Sequence, residues 1–210
     1  VARLNKRFGG NHVLKDVSFE IKGPEMIGLI GPNGAGKTTL TNVLDGAVKP
    51  NSGTVYLNGT RIDQLAPFQV ANIGLGRTFQ ITRSFRRMTV LENLYVPALA
   101  LGKSHRIAEI HERAMEVLEF LTMGHLRNEY ARALSGGQQK LLELGRLLML
   151  DPNIIILDEL TYTLKYGWVA VEEDLEALRQ RPTMLGVIIA GLDAPPELIE
   201  YADLVTEMQV

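Results

Sequence analysis

The chain has 210 residues, 46% hydrophobic and 22% charged, enough for one large globular domain or a core with a subdomain. A formal net charge of −2 offers no basic footprint for nucleic acid, and the lack of cysteine excludes disulfides and thiolate metal sites. No apolar run reaches the roughly 18 to 20 residues of a membrane helix, so any membrane role is expected to come through a partner.

In chain order, residues 13–21 (VLKDVSFEI) alternate apolar and polar and predict a half-buried strand. Residues 26–30 form a short apolar run, read as a buried strand ending in a glycine loop, with a helix over 37–44 after it. Residues 53–57 (GTVYL), bounded by Asn-Ser and Asn-Gly, predict a hairpin strand. From 90 to 150 the period becomes helical. Ile107, Ile110, Ala114, Val117, Leu118 and Leu121 fall on one face. Leu141, Leu142, Leu144, Leu147 and Leu148 belong to another helix, stopped by Asp151-Pro152. Residues 154–157 predict a second buried strand, delivering Asp158 and Glu159 at its end. A helix with an acidic exposed face is expected over 169–178, and strands over 184–190 and 204–208. Strands alternating with helices imply a mostly parallel sheet covered on both faces. The helical stretch implies a separate subdomain, and the early alternating strands an antiparallel layer.

Two segments carry chemistry. Gly31-Pro32-Asn33-Gly34-Ala35-Gly36-Lys37-Thr38 follows a strand and opens a helix, the context a phosphate-binding loop requires. Its glycines let backbone N–H groups converge on phosphate oxygens, and the helix N-terminus adds favourable dipole charge. Lys37 is placed to reach the β- and γ-phosphates and Thr38 to supply a Mg²⁺ ligand. Further on, Leu134-Ser135-Gly136-Gly137-Gln138 sets a serine and two glycines at the mouth of a predicted helix. Ser135 can cap that helix, and the bare amides of Gly136 and Gly137 can reach an oxyanion, so this is a second anion site.

This pairing of motifs resembles the ATP-binding cassette (ABC) ATPases. The resemblance implies an α/β fold, a P-loop NTPase (RecA-like) core with an antiparallel β subdomain and a helical subdomain. It implies one nucleotide-binding domain over 1–210, with approximately 1–80 and 151–210 forming the β subdomain and core and 81–150 the helical subdomain. ATP and Mg²⁺ are the expected ligands. The nucleotide would meet Gly31, Pro32, Asn33, Gly34, Ala35, Gly36, Lys37, Thr38 and Thr39. Ser135, Gly136, Gly137 and Gln138 would close over the nucleotide held by a second nucleotide-binding subunit, identical or paralogous. Asp158 matches the family's metal carboxylate, and Glu159 the base that polarises the attacking water. Gln80, in Gly76-Arg77-Thr78-Phe79-Gln80, resembles the Q-loop glutamine that reaches metal and water. Phe8 resembles the aromatic residue stacked on adenine; simple strand-edge packing is the other reading.

Met88-Thr89-Val90-Leu91-Glu92-Asn93 resembles the start of the helix that faces transmembrane permease subunits. Arg83, Arg86 and Arg87 would contact that subunit or lipid headgroups, or form a solvated face. Together with Gly-Arg-Thr-Phe-Gln and LSGGQQK, the run looks most like the ATPase subunits of branched-chain amino-acid importers, which sit on the cytoplasmic face of the membrane. Urea-type importer ATPases and the lipopolysaccharide-export ATPase are the next most similar.

The pattern then departs from the family. No proline follows Glu159, and the loop that couples the two ATP sites is not recognisable. Ala190-Gly191-Leu192-Asp193 stands where the family has a switch histidine; His12, His105, His111 and His125 all precede Asp158. Two functions follow: an ATP-hydrolysing transporter subunit, or an ATP-gated dimerisation module that turns over slowly or not at all. Soluble ABC proteins of DNA repair or translation form a third class, disfavoured by the near-neutral charge and the lack of a coiled-coil insertion.

Overall fold

Stretches of aliphatic residues too apolar to leave either face in water form the centre of the first of two units. The computed structural model describes residues 1–78, 84–100, 106–158, 184–192 and 196–209. They divide into Val1–Arg77 with Asn153–Val210, and Thr78–Pro152.

The first unit begins with strands β1 (Ala2–Phe8), β2 (Asn11–Val17) and β3 (Met26–Ile30), then helix α1 (Lys37–Leu44). Strands β4 (Ser52–Thr54), β5 (Tyr56–Leu57) and β6 (Thr60–Arg61), helix α2 (Pro67–Ile73) and strand β7 (Leu75–Arg77) follow. After the second unit, β8 (Ile154–Asp158), β9 (Gly186–Gly191), a short helix (Pro196–Tyr201) and β10 (Leu204–Glu207) complete it. Five strands form one sheet in the order β10-β3-β9-β8-β7, and every adjacent pair is parallel. Ile155, Ile156, Val187, Ile188 and Ile189 are buried, as strands covered on both faces must be. The register sets Ile30 opposite Gly191 and Asp158 opposite Ala190, so three strand ends share one edge.

A second sheet, β2-β1-β4, is antiparallel. Its Leu4 and Leu14 join one core with Ile27 and Leu29 of β3, Leu40, Val43 and Leu44 of α1, Ile156 and Ile188. Parallel core and antiparallel layer are those the sequence predicts.

Some elements differ from expectation. The strand read over 53–57 is cut at Val55, where the chain leaves β1's sheet and starts the β5–β6 hairpin. The Val55 amide turns instead to the buried Asp63 carboxylate at 3.1 Å. Strand β2 stops at Val17 rather than running to residue 21, and Phe19 exchanges hydrogen bonds with Val1. Strand β7 and helix α2 are too short for their period to stand out.

The second unit packs helices α3 (Val90–Ala100), α4 (Ile107–Phe120) and α5 (Gly136–Leu148). Ile110, Ala114, Val117 and Leu118 form the buried face of α4 as predicted, but Ile107 is 74% exposed, because it opens the helix ahead of the first packed turn. On α5 the buried stripe is Leu142, Gly145 and Leu148 rather than the full leucine set. A Cβ on Gly145 would lie 3.0 Å from Leu94 and from Leu121, so its missing side chain lets the helices approach. The helix expected over 169–178 lies outside the described residues.

Asp63 is wholly buried and accepts two bonds from the Arg61 fork, at 2.9 and 3.1 Å, and one from Gln64. The Arg61 hydrogen bonds hold its carboxyl down at about 2. A lowered carboxyl pKa adds stability that is present above the unfolded value near 3.9 and is lost as pH falls through the folded value. Asp63→Asn is therefore expected to cost about 1–2 kcal/mol at pH 7, tempered by the half-exposed Arg61. Denaturant titrations should show the gap narrowing by about half at pH 3; a pH-independent gap would deny the ion pair that contribution.

Candidate functional site

The loop after β3 is shaped by what its glycines exclude. A Cβ on Gly31 would collide with the Met208 carbonyl of the neighbouring chain segment, and Gly31 has a φ of 150°. Gly36 is left-handed at φ 95°, and a Cβ there would press Val13 and Leu14 at 3.2 Å. Gly36 is the N-cap of α1 and contributes no side-chain cap, so the first-turn amides of the helix are left facing the loop. That geometry suits an anion.

The Lys37 ammonium folds back over this loop and donates to the carbonyls of Gly31 and of Pro32, the second at 2.8 Å. Ala35 is buried, and its N–H donates to the Pro32 carbonyl at 3.2 Å, so that amide stiffens the loop. A cavity of about 270 Å³ opens alongside, lined by Val13, Asn33, Gly34, Gly36, Lys37, Thr38, Thr39, Asp158, Gly191 and Leu192. The fold thus brings together six of the loop residues singled out from sequence and Asp158, over a hundred residues away.

Asp158 ends β8 with its side chain 12% exposed, and Arg77 Nη2 donates to its Oδ2. Arg77 Nη1 also donates to Asp45 Oδ2 at 2.6 Å and to Asn42 Oδ1 at 2.7 Å, both on or just after α1. Among the described residues no three His, Cys, Asp or Glu side chains form a metal cage. A hard cation held by one carboxylate, a threonine hydroxyl and phosphate oxygens needs none, and Mg²⁺ is commonly bound this way. Thr38 and Asp158 fit that donor set.

Phe8, at the end of β1, is 50% exposed, with the Lys6 ammonium 4.9 Å from its ring centroid. It is not among the residues lining the cavity. Gln80 and Glu159 lie outside the described residues, as do Arg83 and Asp193. Arg86 and Arg87 are exposed. Leu192 lines the cavity just past β9, in the stretch where the sequence lacks a histidine.

In the second unit, Ser135 is the N-cap of α5. Its Oγ accepts from the Gln138 N–H at 3.3 Å, while Gln138 Oε1 accepts from the Ser135 N–H at 2.9 Å. This reciprocal box gives Gln138 a capping role that the sequence reading did not anticipate. The amides of Gly136 and Gly137, in the first turn, have no intrahelical acceptor, and a Cβ at Gly136 would meet open space.

Sequence reasoning missed Arg77, Asn42 and Asp45. Arg77 sits in the segment read for Gln80, but nothing in the local pattern says that it reaches Asp158.

Comparison with known proteins adds the family. The family model described as ABC transporter matches residues 14–162. A probable branched-chain amino acid transport ATP-binding protein, LivG, of Methanocaldococcus jannaschii is 39% identical over 165 residues, covering 73% of this chain and 64% of that protein. The chain spans 64 to 66% of the length of such curated relatives. A solved ATP-binding cassette of an ABC transporter in its ADP conformation superposes with a TM-score of 0.85 at 32% identity, over 99% of this chain and 85% of the other. A dimeric bacterial ABC transporter cassette superposes at 0.79 with 25% identity, over 99% and 92%.

Ser135→Ala removes the acceptor for the Gln138 amide. It is expected to lower the unfolding free energy by about 1 kcal/mol, with Ser135→Thr losing less. Equal denaturation midpoints for Ser135→Ala and the parent would show that the cap does not form in solution.

Proposed function

The chain belongs to the ABC transporter family, and on that premise we propose that it is the ATP-binding and ATP-hydrolysing subunit of a transporter, working in branched-chain amino-acid import. The observation that carries this reading is the single cavity joining the Lys37–Thr38 loop to Asp158. The substrate class is supported by the relative LivG, a probable branched-chain amino acid transport ATP-binding protein. Among the described residues no helix is long and apolar enough to cross a membrane. Permease subunits would therefore hold the chain at the cytoplasmic face. In this reading residues 1–80 and 151–210 are the core and β subdomain, and 81–150 the helical subdomain.

The first step is an exchange of partners at Lys37. Its ammonium leaves two neutral carbonyls for the β- and γ-phosphate oxygens of ATP, which are stronger acceptors. The amides of the loop and of the first turn of α1 take the remaining phosphate oxygens. Thr38 Oγ1 and one Asp158 oxygen would hold Mg²⁺, which when bound neutralises charge developing on the phosphates. Glu159, next along the chain, would accept a proton from the attacking water, and Gln80 would orient that water. The exposed ring of Phe8 would stack on adenine. Ser135, Gly136, Gly137 and Gln138 of an opposing subunit would close the site, so that ATP drives dimerisation and hydrolysis releases it.

A second reading is favoured by Leu192. Leu192 lines the cavity just past β9, and it belongs to the stretch where the family's histidine would be expected to meet the γ-phosphate. Losing that contact withdraws charge stabilisation from the transition state, so the chain would act as an ATP-gated dimerisation module with slow turnover.

Phosphate release with Mg-ATP, measured over a range of protein concentrations with Lys37→Ala as the blank, separates these readings. Lys37→Ala is expected to lose ATP binding, and unchanged affinity would sink the loop assignment. In the parent, release that rises more than linearly with protein supports the composite ATPase. Bound ATP with no release above the blank supports the slow module. Glu159→Gln is expected to trap an ATP-bound dimer on size-exclusion chromatography; no shift with ATP would count against Glu159 as base.

A further inference from the structure

Three side chains beside the cavity have no part in the proposed chemistry: Arg77, Asn42 and Asp45. Arg77 ends β7, which pairs in parallel with β8, and its side chain is 8% exposed. Its two Nη groups diverge, one to Asp158 and the other to Asp45 and Asn42. Asp45 is the C-cap of α1 and does not line the cavity. An acid at a helix C-terminus meets the negative end of the dipole, so on its own it is badly placed. The placement makes sense once a cation shared with Asp158 is counted.

We propose that Arg77 is the positioning residue for the metal-binding carboxylate of Asp158, tying it to the far end of the phosphate-loop helix α1. This rests on the reading of Asp158 as a Mg²⁺ ligand. Arg77 engages Oδ2 of Asp158, which restricts the carboxylate's rotation while Asp158 still lines the cavity beside Thr38. The guanidinium gives a charged donor to two carboxylates that are each under 15% exposed, Asp45 at 13% and Asp158 at 12%. Its planar fork presents a separate Nη to each acid in a fixed geometry, which the rotatable donors of a lysine ammonium do not hold. Strand β8, which carries the metal carboxylate, and helix α1, which carries the phosphate cradle, are thereby fixed to each other through one side chain.

The test uses Mn²⁺ as a spectroscopic stand-in for Mg²⁺. Electron paramagnetic resonance reads Mn²⁺ binding in the presence of ATP for the parent, Arg77→Lys, Asp45→Asn and Asp158→Asn, with thermal unfolding recorded for each. Asp158→Asn is expected to lose tight Mn²⁺ binding. Arg77→Lys, which keeps the charge but not the fork, is expected to weaken it by about tenfold or more. Asp45→Asn, outside the cavity, should weaken it by a smaller factor. Parent-like Mn²⁺ affinity in a folded Arg77→Lys, alongside loss in Asp158→Asn, would overturn the proposal and leave Arg77 a structural ion pair. Should Arg77→Lys not fold, parent-like affinity in Asp45→Asn would overturn it instead. Unchanged affinity in Asp158→Asn would be a different failure, that of the ligand reading itself.

Discussion

Everything at the site depends on a burial constraint. Strands β3, β8 and β9 are too apolar for either face to meet water, so they must lie side by side, in parallel, within a covered sheet. Parallel strands in register end at one edge. The glycine loop, Asp158 and Leu192 therefore arrive within one cavity from positions far apart in the chain. Ligands of open parallel sheets bind at that carboxyl edge, and here the edge supplies the cradle, the carboxylate and the post-β9 residue together.

Charge does the remaining positioning. The Lys37 ammonium donates to two backbone carbonyls, which hold it at the loop. An arriving polyphosphate offers anionic oxygens a short swing away. The carboxylate side is the opposite case: Asp158 already has a cation, Arg77, and that cation is shared with Asp45 rather than dedicated to the site. In the proposed reading Lys37 changes partners on binding, while Arg77 keeps Asp158 in place.

Much of this was legible in the residues. The strand at Met26–Ile30 and the helix at Lys37–Leu44 match the predicted bounds, since a five-residue apolar run flanked by a glycine loop leaves little choice. The Ser135 cap was legible for the same reason, a serine followed by two glycines before a periodic run. What was not legible is what tertiary partners decide. Val55 breaks its strand because a distant carboxylate, Asp63, takes its amide. Gln138 closes a capping box because its side chain finds the Ser135 N–H. Arg77 is a polar residue at the end of a three-residue strand, and only the pairing of β7 with β8 brings it to Asp158. The coupling between the two acids has no sequence signature at all.

The most direct test of the account is a crystal structure of the protein with Mg²⁺ and a non-hydrolysable ATP analogue. The account predicts Lys37 Nζ moved off the carbonyls of Gly31 and Pro32 and onto the β- and γ-phosphates, with the metal between Thr38 and Asp158. An analogue bound away from this cavity, or one inside it with Lys37 still on the two carbonyls, would contradict it.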